Sequence, residues 1–310
     1  MSKNKKIILI VSIIVGIFII GGIIGFFVIS NIKDNQDKNK STNENNIVAE
    51  NETTIAENNT ENNNENNNIG SEEVSAQNPV ATMEVEYVDK SGNTKNGTIK
   101  IELYKNSAPN TVKNFIKLAN NGFYNGLTFH RVVNDFMIQG GDSAGNGTGS
   151  AKISDLNKSV KPNSEQDYQY SIKGEFSINN FENDLKFDQG VIGMARSDFS
   201  AYGFPEQGYN SGSSQFFIVN TTNRDIMDVL NGYYTAFGKV IEGYEHVEGI
   251  SNIKTKTSTS TGENSEPVNA PIIKSVTVET YGVDYGSPEV INYEEVMNEI
   301  YSKLYSSYTN

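Results

Sequence analysis

The sequence predicts a mainly β protein: a closed, mostly antiparallel barrel of short strands, held on the far side of a membrane by an N-terminal anchor and a polar tether. Three observations carry this reading. From Pro79 onward, apolar and polar residues alternate in short runs separated by Gly/Asn/Ser turns. Few stretches in that region have helical spacing, and many short strands with few helices are the pattern of a barrel. Residues 7–29 are apolar and glycine-rich over about 23 positions, enough as a helix to cross a hydrocarbon core of about 30 Å.

Lys3, Lys5 and Lys6 precede the apolar run, so the positive-inside rule leaves residues 1–6 in the cytoplasm and sends everything after Ser30 outside. A cleaved signal peptide has a shorter apolar region ending at small residues, and Val28-Ile29-Ser30-Asn31-Ile32 is a poor cleavage site. Residues 1–30 therefore read as a cytoplasmic stub and an uncleaved, single-pass signal anchor. Residues 31–78 are dominated by Asn, Glu, Thr and Ser and cannot bury enough surface to offset the entropy of ordering, so they read as a disordered linker. With the globular part outside and no cysteine, this composition suits a Gram-positive bacterial surface.

The globular part spans 79–282. Met83, Val85 and Tyr87 alternate with Thr82, Glu84 and Glu86, and after a Ser91-Gly92-Asn93 turn Ile99, Ile101 and Leu103 repeat the pattern, which predicts a hairpin. Pro109 followed by Val112, Phe115, Ile116 and Ala119 at helical spacing, closed by Gly122, predicts a helix. Further apolar runs at 128–139, 191–195, 215–219, 235–241 and 271–279 supply the remaining strands. Residues 283–310, with Val296, Ile300 and Leu304 on one face after Pro288, predict an amphipathic helical appendage.

Composition removes several classes of chemistry. The 310-residue chain has a formal net charge of −13, no cysteine and two histidines. A disulfide framework, a thiol nucleophile and a zinc ribbon are excluded, and a histidine-rich metal centre lacks its material. No metal or cofactor is expected. An acidic chain without a Lys/Arg run also lacks the driving force for binding nucleic acid.

The informative segment is Phe129-His130-Arg131-Val132-Val133-Asn134-Asp135-Phe136-Met137-Ile138-Gln139-Gly140-Gly141-Asp142. Arg131 lies in a strand pattern with Phe129 and Val133 at the same-face positions, where a charge is costly without a partner. Phe136, Met137 and Gln139 follow within eight residues, adding an apolar wall and an amide to a fixed cation. His130 reads as a hydrogen-bonded structural residue, and His246 as solvated helix surface. Gly141-Asp142-Ser143-Ala144-Gly145 fits a serine-hydrolase elbow only superficially, because Asn146-Gly147-Thr148-Gly149 follows where a helix is required.

On these residues the chain resembles the cyclophilin family of peptidyl-prolyl isomerases. The resemblance continues through Tyr104–Leu127, Lys173-Gly174-Glu175-Phe176, Gly190–Arg196, Ser213–Ile218 and Ala236–Val240, in the family's order, over about residues 80 to 280. It implies an eight-stranded barrel capped by two helices, with the site on its outer surface. It implies Arg131, Phe136 and Gln139 as catalytic residues. Met137, Ala195, Arg196, Gln215, Phe217, Leu230 and Tyr234 become the proline pocket and peptide groove.

The implied substrates are proline-containing segments of exported or surface proteins, turned over by a monomer without cofactors. Cyclosporin, which fills this family's groove, is expected to bind more weakly here. Val229 stands where many members have tryptophan, Tyr234 stands where a histidine is usual, and the loops 143–170 and 198–212 are longer than in compact members. The reading from a different class is a non-catalytic module that grips proline segments as a holdase or envelope scaffold.

Overall fold

A computed structural model describes residues 77–199 and 205–309. The expected anchor at 7–29 and all but the last two residues of the expected linker lie outside them, and no helix among the described residues is long and apolar enough to cross a membrane.

β1 (Val80–Val88) and β2 (Thr94–Leu103) form the expected hairpin. Every second residue of β1 is buried, from Ala81 to Tyr87, as the period of two requires. The Asp89 carboxylate accepts the backbone N–H groups of Ser91 and Asn93 and fixes the turn. Helix α1 (Pro109–Asn120) starts with proline in its first turn and buries Val112, Phe115, Ile116 and Ala119. Its unpaired N-terminal donors are satisfied from elsewhere in the chain: the buried Glu175 carboxylate accepts from the N–H groups of Asn110 (2.9 Å) and Thr111 (2.8 Å).

There follow β3 (Arg131–Val133), β4 (Met137–Gly140), the short α2 (Ile153–Leu156), β5 (Tyr170–Ser171), β6 (Val191–Met194), β7 (Phe216–Val219), α3 (Arg224–Leu230), β8 (Ala236–Glu242) and α4 (Tyr244–Ser251). The chain continues through β9 (Thr255–Thr257), β10 (Asn264–Pro267), β11 (Ile272–Glu279), β12 (Ile291–Asn292) and α5 (Tyr293–Thr309). Eight strands form one curled antiparallel sheet in the order β11-β1-β2-β8-β6-β7-β4-β3.

The expected closure of that barrel is not realised as a ladder. The sheet's ends, β3 and β11, meet through one bridge, Thr128 with Ile272, flanked by the bonds from Phe129 N–H to Pro271 O and from Ile273 N–H to Leu127 O. Pro271 has no N–H to return to Phe129, so pairing stops there. The alternation breaks at the same place. Phe129, expected beside Arg131, turns instead into the fully buried core.

Two apolar clusters lie on opposite faces of the central strands. Ile138, Ile192, Phe216 and Ile218 join β1, β2, α1 and α4 in the main core. Met137, Val191, Phe217 and Val219 face outward and pack with Phe187, Met227, Leu230 and Ala236 in a second cluster. Burial on both faces is why β6 and β7 read as continuous apolar runs. β12 pairs with β5 in a separate two-stranded sheet, which seats α5 against β5. Among the described side chains of α5, Met297 and Ile300 are buried and Val296 is half-buried, while Leu304, the third residue of the expected face, lies outside them.

His246 differs from its expected solvated position. Its ring lies edge-on to Tyr87 and over Gly97, where a Cβ would collide with it.

Candidate active site

Register builds the site. In the row Val132–Ile138–Ile218–Ile192 every side chain points into the main core. The adjacent row, Arg131–Gln139–Phe217–Gly193, points outward, and so does Val133–Met137–Val219 beside it. Gly193 leaves its place in the outer row empty for aromatic rings, since a Cβ there would strike Phe217 and Phe187. Phe217 stacks on Phe187 with ring centroids 5.7 Å apart and meets Tyr234 edge-on, also at 5.7 Å. Asp135, in the left-handed region at φ 55°, turns the chain so that Phe136 returns to the same face. The outer cluster is thereby left with a partly open edge formed by Val133, Phe136, Ala195 and Tyr234.

Around this edge runs a cleft of about 1410 Å³. It is lined by Arg131, Phe136, Met137, Gln139, Ala195, Arg196, Gln215, Phe217, Leu230 and Tyr234, so all ten residues singled out in the sequence come together. Val229 is on the same wall. Arg131 NH1 donates to Gln139 Oε1 at 3.1 Å and lies 3.7 Å from Met137 Sδ, while its Cζ is 6.0 Å from the centre of the Phe136 ring. Gln139 Nε2 donates to Gln215 Oε1, and Gln215 Nε2 donates to the carbonyls of Gly147 and Gly149. An amide relay therefore runs from the arginine to the 145–149 loop. Asp142 holds that loop by accepting four backbone N–H groups, from Ala144, Asn146, Gly147 and Gly149. Arg196 lines the cleft with its head group held from several sides. Its guanidinium is caged by Tyr234, Tyr209 and Phe176, with Cζ 4.6, 5.3 and 5.7 Å from their ring centres, and it donates to the carbonyls of Tyr233 and Ser197. It braces the loop after β6.

Sequence reasoning missed two components of the cleft. One is the start of α5, where Tyr293 and Met297 extend the wall. The other is Glu263, in the hairpin of β9 and β10. Its Oε2 accepts from Arg131 Nε at 2.7 Å and its Oε1 from NH2 at 2.9 Å, which gives the half-buried cation its partner. The signal available was the cost of an unpaired arginine in a strand, but that cost names no partner 132 residues away.

Ser143 is no nucleophile in this setting. Its hydroxyl donates to the carbonyl of Ser150, and turns follow it directly where a helix is required. His130 is half-buried with both ring nitrogens enclosed, yet neither has a hydrogen-bond partner among the described residues, contrary to expectation. Burial pushes its pKa down to about 4; the Asp142 carboxylate opposes that shift and the Arg131 charge adds to it. The unfolded chain, titrating near 6.5, binds the proton first. Stability contributed by neutral His130 is therefore expected to fall as pH drops from about 6.5 to about 4. In thermal unfolding followed against pH, His130→Phe is expected to flatten that part of the profile; an unchanged slope would assign the acid sensitivity elsewhere.

A family model for cyclophilin-type peptidyl-prolyl cis-trans isomerases matches residues 87–278. A Staphylococcus aureus protein whose name carries the term peptidyl-prolyl cis-trans isomerase is 32% identical over 210 residues, covering 60% of this chain and 89% of its own. A Staphylococcus haemolyticus protein of the same name is 31% identical over 210 residues, covering 60% and 88%. Among solved structures, a Cryptosporidium parvum cyclophilin-type isomerase aligns with a TM-score of 0.44 at 26% identity, over 64% of this chain and 98% of that one. The same parasite protein, crystallised in the presence of the dipeptide Ala-Pro, aligns with the same score at 27% identity.

Proposed function

The chain belongs to the cyclophilin-type peptidyl-prolyl cis-trans isomerase family, and from that premise we propose that it accelerates X-Pro rotation in exported or surface proteins, with Arg131 stabilising the twisted amide. The observation that carries the mechanism is the outward row in which Arg131, Gln139 and Phe217 stand side by side above the apolar cluster.

The chemistry asks for little else. Rotation about an X-Pro bond is slow because amide resonance is lost, with a barrier of about 20 kcal/mol. No bond is broken. At the twisted transition state the proline nitrogen pyramidalises and gains a lone pair, so an N–H donor aimed at it binds that form better than either planar one. Met137, Phe217 and Leu230 grip the ring, with Phe136 at the open edge, while the carbonyl side turns. The amides of Gln139 and Gln215 hold the flanking backbone. No base, nucleophile or metal enters. An isomerisation assay with a proline tetrapeptide is expected to show acceleration; a folded protein that binds the peptide without accelerating it is the holdase instead.

The anchor at 7–29 and its lysine flank support a location outside the cell membrane, and the fold suits release from a tether. Near the start of the described residues, Asn78 Nδ2 donates to Glu102 Oε1 and Leu103 N–H donates to Pro79 O. Protease added to intact cells is expected to free a folded fragment starting near Asn78. Recovery of a soluble mature protein lacking residues 1–30 would refute the anchor.

A further inference from the structure

We propose that Glu263 is a positioning residue for the isomerase reaction, holding the Arg131 guanidinium by its outer edge so that its remaining edge is fixed toward the proline pocket. The inference rests on Arg131 being the catalytic cation.

The geometry divides the guanidinium into two working edges. Nε and NH2 form a two-pronged pair with the Glu263 carboxylate at 2.7 and 2.9 Å. NH1, on the other side, lies against Met137 Sδ and donates to Gln139 Oε1. Met137 belongs to the apolar cluster that floors the pocket, so NH1 marks the pocket side and the carboxylate grips the side away from it. The edge between NH1 and NH2 is what an incoming amide can meet. Of the bonds already made there, the weak thioether contact is the one that yields to a substrate.

The holder is itself held. Gly262, at φ 73°, makes the turn before Glu263. Glu263 N–H donates to Thr261 Oγ1, and its carbonyl accepts from the N–H groups of Ser258 and Ser265. β9 and β10 pair directly after it, with Asn264 opposite Thr257 and a register shift between Asn264 and Glu266, and β10 packs on β3, the strand that carries Arg131. Both partners are about one-fifth exposed, at 20% for Arg131 and 22% for Glu263, so the pair is partly shielded from competing water.

A carboxylate on a catalytic arginine reduces its net charge while fixing its direction. Stabilisation of a twisted amide depends on donors pointing at one nitrogen, a short-range and directional effect, so orientation outweighs the lost charge. A lone arginine on a three-residue edge strand has several rotamers of similar energy, of which few aim at the pocket.

The test compares Glu263→Gln, Glu263→Ala and Glu263→Asp in the full chain, with a proline tetrapeptide as substrate and thermal unfolding as the control for folding. Glu263→Gln and Glu263→Ala are expected to lower kcat about tenfold while KM moves less than about twofold. Glu263→Asp, which keeps the charge on a shorter stem, is expected to recover part of the loss. In an Arg131→Ala background, Glu263→Gln is expected to change nothing further.

Wild-type kcat in a folded Glu263→Gln protein overturns the proposal. So does an increased kcat, which would make the pair a brake, and so does an undiminished effect in the Arg131→Ala background. Failure of the arginine reading itself appears separately, as wild-type turnover by Arg131→Ala alone.

Discussion

Arg131→Ala is expected to lower the isomerisation rate roughly 30- to 1000-fold, the loss of about 2 to 4 kcal/mol of transition-state stabilisation that follows removal of one preorganised donor. Peptide affinity is expected to change much less, because Phe136, Met137 and Phe217 supply apolar contacts that planar and twisted forms share. Arg131→Lys is expected to rescue only in part. An ammonium cannot occupy both Glu263 oxygens and still reach Gln139, whereas the guanidinium makes all three bonds at once. The comparison requires equal thermal unfolding, since the substitution also leaves Glu263 half-buried without its cation. Near-wild-type turnover by a folded Arg131→Ala protein would sink the mechanism and favour the binding module.

What the sequence disclosed follows the range of the interactions involved. The β1–β2 hairpin and α1 were legible because alternation, turn chemistry and a first-turn proline act within a few residues. The core of the site was legible for the same reason. Arg131 and Gln139 are eight positions apart on two strands joined by a tight turn, so the segment that names them also places them together.

The rest depended on distant partners. Glu263 reaches Arg131 from a hairpin whose Ser/Thr-rich sequence carries no apolar period, and nothing local marks it. The gap in the barrel depends on Pro271 falling opposite Phe129, a coincidence of register that neither segment contains alone. The aromatic cage around Arg196 comes from Phe176, Tyr209 and Tyr234, which the fold gathers from three separate segments.

The second large effect is expected at Phe217. Its side chain is 5% exposed at the centre of the outer cluster, opposite Gln139 on one side and the bare Gly193 on the other. Truncation to alanine opens a cavity that the stacked Phe187 ring cannot fill without leaving its own packing, so Phe217→Ala is expected to cost about 3 to 5 kcal/mol of stability. For a domain of this size that is a fall of roughly 6 to 20 °C in the unfolding midpoint. Phe217→Leu keeps much of the volume and is expected to cost about 1 to 2 kcal/mol, which leaves enough folded protein to assay.

The leucine variant then separates packing from function. A branched side chain lacks the flat ring face that meets Tyr234 edge-on, so KM is expected to rise several-fold while kcat stays near wild type, the reverse of the Arg131→Ala pattern. The two substitutions are thus predicted to pull the kinetic constants apart. Arg131 acts on the twisted state alone, and Phe217 acts on every state in which the proline ring is bound. If Phe217→Leu instead lowers kcat with KM unchanged, the ring participates in the rotation itself, and the division between an apolar grip and a directional donor has to be abandoned.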